Sequence, residues 1–96
     1  MEDRKFKVED GRIVNRFSGE PIPDDEPIFF FRARDKHALE VLRYYKVVCR
    51  DDGCTDWHLG MLRDAIQDFE RFKNDHPDRM KQPGVSMGRK KAEAEA

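Results

Sequence analysis

A small α+β domain is the fold class the sequence predicts, and three observations predict it. An Asp-Gly pair sits between two short strand-forming runs near the start. Two stretches with apolar residues at helical spacing follow. The chain has 96 residues, 38% of them hydrophobic and 41% charged, which suits one thin core and not a multidomain enzyme. The expected organisation is a single domain over residues 1–84, followed by a disordered tail over residues 85–96. In that domain an N-terminal β-hairpin and a third strand pack on a C-terminal antiparallel αα-hairpin.

The hairpin is read from Phe6-Lys7-Val8-Glu9 and Arg12-Ile13-Val14-Asn15, which flank Asp10-Gly11. Both central residues of a type I′ turn need positive φ, and Asp-Gly supplies it. Ser18-Gly19 breaks the second strand, and Pro21, Pro23 and Pro27 keep the next segment extended. Ile28-Phe29-Phe30-Phe31 is an apolar run suited to a third strand buried on both faces.

Asp35 is placed to cap a helix beginning at Lys36. Its expected core face is Ala38, Val41, Leu42, Tyr45, Val48 and Cys49. Gly53 suits the left-handed position that ends such a helix. Thr55 caps a second helix with the apolar face Leu59, Leu62, Ala65, Ile66, Phe69 and Phe72. The stretch Asn74-Asp75-His76-Pro77 ends it. So short a connection makes the two helices antiparallel neighbours. The tail Gly88-Arg-Lys-Lys-Ala-Glu-Ala-Glu-Ala96 has no periodicity.

Charge comes in blocks that the net −1 conceals. Residues 20–31 carry Glu20, Asp24, Asp25 and Glu26 and no cation, whereas residues 32–50 carry six cations against Asp35 and Glu40. Near-neutrality argues against a dedicated nucleic-acid coat. With no run of about 18 apolar residues and no apolar leader after Met1, the chain is expected to be cytoplasmic, with no membrane partner. Two cysteines in that compartment are expected to be thiols.

Candidate sites follow from these blocks. Arg32, Arg34, Lys36 and His37 gather before a helix N-terminus, where backbone N–H groups and guanidinium forks suit a phosphate or carboxylate. Internal pairing of Arg32 and Arg34 with Asp24, Asp25 and Glu26 is the plainer alternative. Phe29, Phe31, Tyr44 and Val47 exceed what one partner element can cover and are expected to form a subunit interface, so a homo-oligomer is expected. Lys36, Arg43, Lys46 and Arg50 form a polar stripe with Glu40, which offers a nucleic-acid surface as the alternative function. Cys49, Cys54 and His58 have the spacing C-x4-C-x3-H, which matches no common zinc motif, so no metal and no cofactor are expected. Catalytic residues are not assigned, because no nucleophile elbow, phosphate-binding loop or His-Glu-x-x-His is present.

Gly11-Arg-Ile-Val-Asn15, Gly19-Glu-Pro-Ile-Pro-Asp-Asp-Glu-Pro-Ile28 and Arg32-Ala-Arg-Asp-Lys-His-Ala38 resemble a family of small proteins encoded by phages, prophages and bacteria. The likeness continues through Asp68-Phe-Glu-Arg-Phe72 and His76-Pro-Asp-Arg-Met80, covering roughly residues 8–83. The resemblance implies a phage or mobile-element accessory protein, in the host cytoplasm if phage-encoded, and no catalytic or ligand residues. The expected function is a non-enzymatic binding protein. As a homo-oligomer it would block a host protein or sequester an anionic, nucleotide-like ligand.

Overall fold

The computed structural model describes residues 4–84 and divides the chain into two compact units, Met1–Phe30 and Phe31–Ala96. The tail expected over residues 85–96 lies outside the described residues.

The first unit is built on the hairpin. Strand β1 (Phe6–Glu9) pairs antiparallel with β2 (Arg12–Asn15), with Phe6 opposite Asn15 and Glu9 opposite Arg12. Asp10 at φ 53° and Gly11 at φ 76° both take the left-handed conformation that a two-residue turn with matching twist demands. Asn15 then organises a tight reversal: its side-chain oxygen accepts from the N–H groups of Phe17 and Ser18 at 2.9 and 3.0 Å. The chain returns beside β2, where Asn15 N–H donates to Glu20 C=O and Ile22 N–H donates to Ile13 C=O. Val14 and Pro21 face each other there in an isolated antiparallel bridge, and Val14 is the buried residue of this unit. Pro21 has no N–H to give, so the pairing stays a bridge.

The third strand expected over Ile28–Phe31 does not form; those residues carry no strand. The edge beside β2 is already taken by Glu20–Ile22, and Pro27 enters the run as a residue with no donor. Burial on both faces fails as well, since Phe29 is 83% exposed and Phe30 62%. The division between the two units falls inside this aromatic run, between Phe30 and Phe31.

The second unit is an αα-hairpin with a clasp. Helix α1 spans Ala38–Asp51 and α2 spans Asp56–Asp75. Arg43 meets Glu70 and Cys49 meets His58, so the pairs run in opposite directions and the helices are antiparallel. Ala38, Leu39 and Cys49 of α1 and Leu62 and Ile66 of α2 form the buried set. Thr55 caps α2 as its sequence position predicts, with Oγ1 accepting from His58 N–H at 3.2 Å. Asp35 does not cap α1. It accepts from His37 N–H at 2.8 Å in a turn that precedes the helix, and His37 occupies the cap position without a side-chain bond. Beyond α2 the short 3₁₀ turn η1 (Pro77–Arg79) folds back, with the Arg79 guanidinium 4.7 Å from the Phe72 ring centre. Lys81 then closes the unit against the segment before α1. Its N–H donates to Arg34 C=O at 2.7 Å and its C=O accepts from Lys36 N–H at 3.1 Å.

Candidate functional site

Helix α1 carries more apolar surface than α2 covers. At 3.6 residues per turn, Ala38, Leu39, Leu42 and Cys49 share one side, and α2 packs there. Val41, Tyr44, Tyr45 and Val48 fall at i, i+3, i+4 and i+7 on a second side, roughly a third of a turn away. All four are exposed, Tyr44 to 70%. Val41, Tyr45 and Val48, expected in the core from their spacing, are therefore outside it. The cause is geometric: the apolar positions of α1 span too wide an arc for one partner helix, and α2 takes the side that carries Ala38, Leu42 and Cys49.

The four residues expected at an interface are all exposed, but they are not brought into one patch within a unit. Tyr44 belongs to the open stripe of α1 and Val47 sits at its polar margin. Phe31 begins the second unit, and Phe29 belongs to the first. The excess of apolar positions on α1 over one helical face, which marks Tyr44 and Val47 in the sequence, extends in the structure to Val41, Tyr45 and Val48.

Arg32, Arg34, Lys36 and His37 lie on two consecutive turns before α1. Asp35 N–H donates to Arg32 C=O at 3.0 Å and Ala38 N–H donates to Asp35 C=O at 3.1 Å. The clasp through Lys81 fixes the backbone on both sides of Asp35. Within the second unit Arg32, Arg34 and Lys36 form no ion pair with a described residue, while Asp24 of the first unit is held by Arg12 at 3.1 Å. The structure thus gathers three cations before one helix start, with Asp35 between Arg34 and Lys36 and its carboxylate accepting from His37 N–H.

The stripe proposed for nucleic acid is in part consumed internally. Arg43 pairs with Glu70 at 3.0 Å and Arg50 with Asp51 at 3.6 Å. Lys46 is half-buried, and Lys36 alone of the four is an exposed cation without an ion pair to a described residue of its unit.

A fourth group collects where α1 meets α2. Cys49 is buried and Cys54 half-buried, and both are free thiols. His58 Nε2 lies 3.7 Å from Cys49 Sγ, and the Tyr45 ring meets the His58 ring edge-on at 6.2 Å between centroids. A hydrogen bond to Cys49, together with desolvation, pushes the Tyr45 hydroxyl above its ordinary pKa. Desolvation, followed by a hydrogen bond to Cys49, pushes the Cys54 thiol up as well. Among the described residues no three His, Cys, Asp or Glu side chains converge as a metal-holding group.

No protein-family model, curated protein or solved structure matches the chain. Among the described residues, no helix is long and apolar enough to cross a membrane.

Proposed function

We propose that this chain is a non-enzymatic binding protein that self-associates through the open face of α1, an accessory factor of the kind phages encode. In that form it blocks a host protein or sequesters an anionic, nucleotide-like ligand. The observation that carries the reading is the stripe Val41, Tyr44, Tyr45 and Val48, an aromatic-rich helix face that stays exposed and that α2 meets only at its margin among the described residues, through the contact of Tyr45 with His58. Stripes of this kind mark contact surfaces, and Tyr supplies large area at low entropic cost. A second copy suits it on grounds of charge. Two α1 helices packed antiparallel about the stripe set Lys36 and His37 of one against Asp51 and Asp52 of the other, and their dipoles oppose favourably.

Arg32, Arg34, Lys36 and His37 are the proposed anion-binding groups, and Phe29, Phe31, Tyr44 and Val47 the proposed association residues. The support for the first set is that these three cations, beside the start of α1, form no ion pair with a described residue of their unit. The nucleic-acid alternative has less support, because Arg43 and Arg50 already hold carboxylates.

Native mass spectrometry of the freshly purified full chain tests both halves together. The expected result is a multimer that retains, or takes up from added nucleotide, a bound anion. Substituting Arg32→Ala and Arg34→Ala should remove the anion while leaving the subunit count unchanged. A monomer at every concentration overturns the association, and nucleotide uptake by the double variant overturns the assignment of the arginines.

A further inference from the structure

We infer that Cys49 and Cys54 are a modifiable thiol pair that closes to a reversible disulfide across the turn between α1 and α2. The pairing is written into the way α1 stops. Gly53, at φ 77°, is the left-handed residue just past the cap, Gly53 N–H donates to Arg50 C=O, and Cys54 N–H donates to Cys49 C=O at 3.0 Å. In a helix stop of this kind the third residue from the helix end and the second residue past the cap come together, and their side chains usually touch. Here both positions are cysteine, and both thiols are free. One backbone hydrogen bond of that length keeps the two Cα atoms near the span a disulfide bridges, about 4.4–6.8 Å.

A third group completes the chemistry. The Thr55 cap fixes the first turn of α2, and this turn delivers His58 Nε2 to 3.7 Å from Cys49 Sγ. The two thiols therefore have different tasks. Cys54 is the more exposed and meets an oxidant, which we take to be a low-molecular-weight disulfide. Its thiolate attacks one sulfur of that disulfide, the S–S bond of the oxidant breaks, and one small thiolate leaves and takes up a proton. Cys49, 5% exposed, gives its proton to His58 and attacks the Cys54 sulfur of the mixed disulfide. The Cys49–Cys54 bond forms, and the second small thiolate leaves with the proton from His58. Two protein thiols are oxidised and one small disulfide is reduced to two thiols.

The sequence provides a direct assay, because Arg50 lies between the two cysteines and trypsin cuts after Lys46, Arg50 and Arg63. The full chain is equilibrated with oxidised glutathione, alkylated, digested and mapped. The expected result is peptide 47–50 joined to peptide 51–63, in a chain without intermolecular cross-links. Dithiothreitol should separate them and expose two alkylatable thiols. Cys49→Ser should stall with glutathione on Cys54. His58→Asn should prolong that mixed disulfide about 10-fold. Two alkylatable thiols at every glutathione ratio, cross-links only between chains, or a mixed disulfide that never resolves in the unsubstituted protein would each overturn the proposal. Mapping of the unsubstituted chain decides the matter even if a variant fails to fold.

Discussion

Single side chains at the α1–α2 junction set how this unit responds to pH. Tyr45 and Cys54 both hold their protons more tightly folded than unfolded, with ordinary values of 10.0 and 9.0. For such groups the linked stability is complete below the unfolded value and is lost as pH rises through the folded one. Thermal stability should therefore decline above about pH 9, and Tyr45→Phe or Cys54→Ser should each make the decline shallower. An identical alkaline decline in both variants would contradict this account of the junction. Thr55 acts independently of titration. Thr55→Ala leaves the His58 N–H without its acceptor and should cost about 1 kcal/mol, lowering Tm by about 4–8 °C in differential scanning calorimetry. No change in Tm would mean that the cap bond contributes nothing net.

Among the elements, the helices were legible in the sequence because their signals are local. Thr55 names its cap, Gly53 names the stop, and Leu62 and Ile66 sit where the apolar period puts them. The hairpin was legible for the same reason, since Asp10-Gly11 dictates the turn and the turn dictates the register. What failed depended on competition between distant segments. Ile28–Phe31 has the composition of a strand, yet Glu20–Ile22 reaches the β2 edge first because Asn15 turns the chain back at once. The core face of α1 was misjudged likewise: periodicity gives the arc of apolar positions but not which part of it a neighbour covers. Among candidate site residues, the position of Arg32, Arg34, Lys36 and His37 before α1 was readable, whereas the clasp through Lys81 was not, being a contact between chain segments far apart in sequence. One prediction belongs at this scale. Gly53→Ala forces a Cβ into the left-handed conformation at φ 77° and should cost about 1 kcal/mol by chemical denaturation. An unchanged midpoint would mean the helix stop relaxes freely.

For the whole molecule, the near-cancelling charge that suggested no partner proves to be organised. The acidic residues 20–31 fall within or at the edge of the first unit, and the basic segment opens the second. Among the described residues buried apolar side chains are few in both, with Val14 in one and five residues in the other, while a larger set of aromatic and β-branched residues is exposed. The proposed self-association would bury part of the apolar surface that so small a core leaves outside. Sedimentation equilibrium of the full chain across a wide concentration range, run beside Tyr44→Glu, tests this claim most directly. The account predicts a concentration-dependent mass above the monomer for the unsubstituted chain and a monomer for the variant, with unchanged far-ultraviolet circular dichroism. A monomeric unsubstituted chain throughout, or a variant that associates equally well, would contradict it.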